Sequence, residues 1–344
     1  LKDPRNIQWS FSVERDLGWQ TTARATYTGS HTTQLVYSPD LNQVAPNTVG
    51  YAALTATPAL RQANLRFPNF NEVLTRDNGP SAKYEGLTLE LSRRFARGIG
   101  FQNSYTLAYN RSNALGSAPS SLIAQGSGGE NGPNTQNFFN INADYGDVIY
   151  TRRHRFVNTL FYDLPFGRGR QFASNANGIV NAIIGGWGVT GITLLQSGPF
   201  LTPTFRGADP SGTNPTQRSA GPFQRPDCVA GVDPNLSNPS INQYFNKAAF
   251  AIPGNNIGRF GTCGVGGLHG PGTVTFSTTV GKQVKLSERM ALRYEAAFAN
   301  LFNHLNPDVP NTQVSNASFG KITAVQSGEE AGPRSIQMSL RLTF

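Results

Sequence analysis

Apolar and polar residues change places at every second position through most of this 344-residue chain. The last ten residues, "SIQMSLRLTF", show it most cleanly. Ile336, Met338, Leu340, Leu342 and Phe344 fall on one parity, and Ser335, Gln337, Ser339, Arg341 and Thr343 on the other. A period of two is the signature of a β-strand with one apolar and one polar face. "IQWSFSV" sets Ile7, Trp9, Phe11 and Val13 against Gln8, Ser10 and Ser12, and after a tight "DLG" turn Trp19, Ala23, Ala25 and Tyr27 oppose Gln20, Thr22, Arg24, Thr26 and Thr28. "GLTLELSRRF" and "IGFQNSYTLAY" follow the same rule around an "ARG" turn, as do "TVTFSTTV", "MALRYEAAF" and the terminal segment. "RFVNTLFYDLPF" (155–166) and "GWGVTGITLLQSG" (186–198) are apolar on both parities, so their facing stays open. Nine strands are predicted, and amphipathic helix patterns are nearly absent.

The connections alternate in length. They run short (16–18), long (about 30–80), short (96–98), long (111–148), medium (167–185), long (about 203–270), short (284–288) and long (about 305–332). Loops beyond about 15 residues are uncommon in compact soluble domains. Here they recur at every second connection, which places them all at one end of an antiparallel sheet. Short turns at one rim and long loops at the other are the layout of a transmembrane β-barrel of the outer membrane. Aromatic residues near strand ends (Trp9, Trp19, Tyr27, Phe95, Tyr109, Phe166, Trp187) suit the two interfacial girdles of such a barrel. A soluble sandwich would share single features of this list, not their coincidence.

Composition agrees. Charged residues make up 14 % of the chain, against about 25 % in ordinary soluble domains. Mean hydropathy is nonetheless −0.34, because Asn, Gln, Ser, Thr and Gly take the place of charge. The net charge of +9 is scattered, its densest cluster being "RRHR" at 152–155, so a nucleic-acid partner is not indicated. That cluster is read either as solvated charge at a loop–strand junction or as a binder of an anion at the outer rim or of lipopolysaccharide phosphates. No apolar run approaches the length of a transmembrane helix.

The apolar parity of the terminal strand is expected to face hydrocarbon, paired to its end, with Phe344 at the periplasmic rim. Counting nine strands back from a downward last strand makes "IQWSFSV" run downward as well. Single-chain bacterial barrels have even strand numbers, so residues 1–344 are expected to be the C-terminal portion of a larger barrel, without its N-terminal strands.

The segments "NIQWSFSVERDL", "YEGLTLELSRRFARGIGFQNSYTLAYNRS", "RRHRFVNTLFYDLPFGRG", "GIVNAIIGGWGVTGITLLQSGPFLT", "FNKAAFAIP" and "RYEAAFANLFNHLNP", with the terminal Phe strand, resemble the barrel of TonB-dependent outer-membrane receptors, specifically the Oar-like group. The resemblance implies a barrel of about 22 strands, an N-terminal plug, often a carboxypeptidase-regulatory-like domain, and energy from an inner-membrane TonB complex reached through the absent N-terminal region. It also implies that Ile336, Met338, Leu340, Leu342 and Phe344 form a signal for the barrel-assembly machinery.

Candidate chemistry is sparse. His31, His154, His269 and His304 lie far apart and lack metal-ligand spacing, and no nucleophile elbow, dinucleotide fingerprint or phosphate loop occurs. No catalytic residue, metal or cofactor is indicated, so an enzyme is not expected. Arg24, Glu90, Arg293, Glu295 and Arg341 share the polar parity of their strands and are expected to line the lumen, contacting either a plug or a substrate. Cys228 and Cys263 are a candidate disulfide in a Gly/Pro-rich loop. Ligand recognition is expected in the extracellular loops at 111–148 and 203–270, the former carrying "SLIAQGSGGENGPNTQNFFN".

Overall fold

The computed structural model describes residues 1–37, 39–114, 135–214, 224–287 and 289–344. Most of the segment "SLIAQGSGGENGPNTQNFFN" therefore lies outside the described residues. Nine long strands carry the fold: β1 (Arg5–Gly18), β2 (Thr21–Thr33), β3 (Ala82–Ala96), β4 (Ile99–Ser112), β5 (His154–Asp163), β6 (Trp187–Gln196), β7 (Thr273–Lys285), β8 (Ala291–Ala299) and β9 (Ser335–Thr343). They pair antiparallel in chain order, each with the next, and the short strand Gly146–Asp147 joins beside β4. The architecture is all-β, and the sheet is open: among the described residues β1 and β9 are not paired with each other.

Directly opposed residues of neighbouring strands share a face, so the register can be followed across the sheet. One row reads Val13, Ala25, Leu89, Tyr105, Phe156, Leu195, Val274. Farther along, Val189, Val280, Ala296 and Met338 continue the same face. On the other face Ser12, Thr26, Thr88, Thr106, Arg155, Gln196 and Thr273 form a polar row. The register resolves the two ambiguous segments, placing Phe156 and Leu195 on the apolar face.

Burial is inverted relative to a soluble sandwich. On the apolar face Phe11 is 69 % and Leu340 68 % exposed, so no protein layer covers it. The largest buried cluster lies instead in the long loops, where Leu201, Phe245, Phe250, Leu268, Val314 and Phe319 pack together. Loops that should be floppy thereby form a folded cap at one rim.

The tight turns lie at the opposite rim. At the β3–β4 turn Gly98 adopts φ +86°, which a side chain would strain. The β5–β6 connection belongs to this rim too and contains a helix, α3 (Gly178–Ile184), that the two-residue pattern did not announce. Two further short helices, α1 (Tyr51–Ala56) and α2 (Pro58–Asn64), sit in the first long loop, where Leu54 and Leu65 pack with Val44. No helix among the described residues is long and apolar enough to cross a membrane.

The C-terminus differs from expectation in one respect. The β8–β9 ladder ends at the Ala291–Thr343 pair. Phe344 therefore lies beyond the ladder, 93 % exposed, because the β8 partner strand begins at Ala291 and offers it nothing to pair with.

Candidate functional site

The polar face carries charge in two separate groups. At the β1–β3 end, Arg24 lies between two carboxylates, its Nε 2.8 Å from Glu14 and a terminal nitrogen 3.4 Å from Glu90. These three residues are direct cross-strand neighbours, so the ladder itself lines up the triad. Glu14 was missed in the sequence, although it shares the parity of Gln8, Ser10 and Ser12. At the other end Arg293 donates to Glu295 on its own strand at 2.5 Å, and Arg341 sits directly opposite Arg293. The five expected wall charges thus do not converge: Arg24 and Glu90 meet, Arg293, Glu295 and Arg341 are neighbours, and the middle strands separate the two groups.

Those middle strands interrupt the polar face with an apolar island. The row that begins Glu14, Arg24, Glu90, Ser104 continues through Val157 and Leu194 to Thr275. Phe161 and Ile192 share this face and are exposed. A shallow groove of about 360 Å³ lies here, lined among others by Thr159, Phe161, Ile192, Ser277, Glu330 and Gln337. Its chemistry is mixed: hydroxyls and an amide for hydrogen bonds, an aromatic ring and a branched chain for apolar contact, one carboxylate. Parity could not reveal it, because β5 and β6 are apolar on both faces and only the cross-strand register assigns them.

Above the sheet, the cap is fastened by covalent and ionic links. Cys228 and Cys263 form a disulfide with Cα atoms 4.9 Å apart. Cys263 belongs to the apolar cluster of the cap. Arg225 lies next to this bridge and reaches Asp144 at 2.6 Å, with side chains 7 % and 0 % exposed. Its Nε donates to the Cys263 carbonyl at 2.8 Å and a terminal nitrogen to the Ala143 carbonyl at 3.1 Å. Burial pushes the Asp144 carboxyl up, with Arg225 pulling against it. A second pair, nearer the surface, joins Asp227 to both terminal nitrogens of Arg259 at 2.6 and 2.8 Å. The Arg259 hydrogen bonds hold the Asp227 carboxyl below the usual carboxylate range.

The "RRHR" cluster is engaged rather than freely solvated. Arg153 pairs with Asp147 at 2.9 Å and stacks on the rings of Tyr109 and Phe200. His154 meets the Tyr105 hydroxyl at 2.8 Å, and Arg155 pairs with Glu329 at 2.7 Å. Arg152 is half-buried, and burial pushes its guanidinium down. These contacts stitch the start of β5 to the neighbouring loops. Among the described residues no group of three His, Cys, Asp or Glu side chains could hold a metal ion.

The outer membrane beta barrel domain model matches residues 1–337. A search of the curated proteins finds no match. Among solved structures, FpvA of P. aeruginosa in a complex with a heterologous iron-bound pyoverdine aligns with 98 % of this chain and 27 % of its own, at 10 % identity and TM-score 0.42. YddB, an outer membrane transporter from Escherichia coli, aligns with 100 % of this chain and 33 % of its own, at 9 % identity and TM-score 0.46. Fiu, a ferric-catecholate import receptor of E. coli K12, aligns with 86 % of this chain and 33 % of its own, at 12 % identity and TM-score 0.32. The chain thus spans a third or less of the length of these proteins. The exposed face that carries the apolar row from Val13 to Val274 needs lipid rather than water against it, and with the family model matched over 1–337 the chain belongs to the outer membrane beta barrel domain family and sits in the outer membrane of a Gram-negative bacterium.

Proposed function

We propose that residues 1–344 form the C-terminal part of the wall of a TonB-dependent outer-membrane transporter of the Oar-like group, which takes up a large or scarce ligand such as a siderophore, an oligosaccharide or a peptide. The observation that carries this reading is the open sheet. Among the described residues β1 and β9 each leave one edge without a strand partner, and an unpaired backbone group in hydrocarbon costs several kcal/mol. Further strands on both sides would close the wall at about 22. The two charge groups of the polar face and the mixed groove between them then suit a plug domain seated inside, held by charge-assisted hydrogen bonds. The role is transport, not catalysis.

The fastened cap supports a second reading, a passive barrel that displays its loops to surfaces or partners. A cap with its own core and disulfide presents a rigid face, which display favours as much as ligand capture.

Uptake measurements separate the two. Cells bearing the full-length protein are offered ferric siderophores, oligosaccharides and peptides, with and without a working TonB complex. Accumulation of one class that requires both the protein and TonB is the expected result. Absence of any TonB-dependent accumulation, with no plug-like domain preceding Leu1 in the gene, would favour display.

A further inference from the structure

The β5–β6 connection at the short-turn rim carries a helix whose apolar side chains are bare. In α3, Ile179 is 77 %, Ile183 64 % and Val180 41 % exposed. The first two lie one turn apart and so share a face of the helix. Asn177 caps its start, accepting from the Val180 amide at 2.9 Å. Asn181 accepts from the Arg168 amide at 2.6 Å, which folds the connection back against the helix.

The side of the sheet on which α3 sits is fixed at its C-terminus. The Trp187 indole donates to the Ile183 carbonyl at 3.0 Å. The Lys282 ammonium donates to the carbonyls of Ile183 and Gly185 at 2.8 and 2.9 Å, and lies 4.5 Å from the Trp187 ring. A cation on the last carbonyls of a helix also answers the negative end of its dipole. Trp187 and Lys282 are cross-strand partners, in step with Val189 and Val280 on the apolar face. The helix is therefore tied to the lipid side of the wall, not to the lumen. The next turn at this rim, β7–β8, exposes Leu286 and Met290 as well.

From this placement we infer that α3 is an interfacial anchor lying in the periplasmic leaflet of the outer membrane, with Ile179 and Ile183 at the boundary between phospholipid headgroups and acyl chains. The occupant follows from continuity. The apolar face of the sheet reaches toward this rim through Val189 and Val280, and α3, held by Trp187 and Lys282 next to them, continues that surface. Apolar side chains presented along the membrane plane bind at this depth by burying apolar area rather than by crossing. The Lys282 charge does not oppose insertion, because the Ile183 and Gly185 carbonyls accept hydrogen bonds from its ammonium. The inference rests on the barrel face alone and is independent of any transported ligand.

Spin labelling tests it. The native cysteines are joined to each other, so cysteines introduced as Ile179→Cys or Ile183→Cys in the full chain are the reactive thiols. The protein is reconstituted in phosphatidylethanolamine–phosphatidylglycerol vesicles, and each label is challenged with oxygen and with a water-soluble nickel chelate. Leu340→Cys on the lipid face and Ser237→Cys in the cap set the two ends of the scale. Labels at both α3 positions are expected to match Leu340, with a severalfold excess of oxygen over chelate accessibility. Chelate accessibility equal to that at Ser237 would overturn the inference. Shielding from both reagents would also overturn it, since it would mean that protein rather than lipid covers the helix.

Discussion

The Arg225 guanidinium meets the Asp144 carboxylate at 2.6 Å across two different long loops, both side chains almost wholly enclosed. A buried pair of this kind is costly to break one-sidedly, because the survivor keeps its desolvation penalty. Asp144→Ala should destabilise the cap by about 3–5 kcal/mol. Replacing both residues with apolar side chains of similar volume should cost far less. Hydrogen exchange at the Ala143–Tyr145 and Cys263 amides is the check, and equal losses for the single and double variants would contradict the pairing.

The disulfide should add a comparable amount. Cys228 and Cys263 are 35 positions apart, and closing a loop of that size removes about 3–4 kcal/mol of unfolded-state freedom in the chain-entropy model. Changing both cysteines to Ala should loosen the cap by that order while leaving the strands inserted. Non-reducing peptide mass spectrometry of native protein should return the two cysteine peptides joined. Two free thiols would refute the bridge.

Acid should act at Asp227. Its folded pKa lies below the ordinary value because Arg259 hydrogen-bonds the carboxylate. A depressed carboxyl contributes stability above its unfolded pKa, about 3.9, and loses it as pH falls through the lower folded value. Arg259 is half exposed, so the contribution is about 1 kcal/mol or less after solvent screening. Proteolysis of the cap should therefore quicken below about pH 4, and Asp227→Asn should flatten that part of the dependence.

The two parities of β9 should respond differently to charge. Leu340→Arg puts a cation on the lipid face, at a cost of about 2–4 kcal/mol if it lies near the midplane. Ser339→Arg places it on the polar face, directly opposite Glu295, and should be mild. Assembly yields measured by heat-modifiable gel mobility would be equal only if the facing were wrong.

Gly29 tests packing within the wall. It lies directly opposite Trp9, and a Cβ added there would run into the indole. Gly29→Val should push Trp9 off its position and cost about 1–3 kcal/mol through overpacking, read as a shift in Trp9 fluorescence. A substitution with no spectral effect would show that the ring has room elsewhere.

Much of this molecule was legible in the order of its residues. Strict alternation located the strands, because a pleated chain sends successive side chains to opposite faces whatever surrounds it. The alternation of "DLG" and "ARG" turns with long connections located the two rims for the same local reason. Parity alone placed Arg24, Glu90, Arg293, Glu295 and Arg341 on one face. It could not say which of them meet, since contact between strands depends on register, and register joins positions far apart in the chain. That is why Glu14 was overlooked beside Arg24, and why the apolar island of Val157, Phe161, Ile192 and Leu194 emerged only when β5 and β6 were set against β4 and β7. The cap lay further out of reach. Arg225 and Asp144 are 81 positions apart in irregular segments with no period to follow, and only the packing of one loop against another brings a cation and a carboxylate into the same dry space.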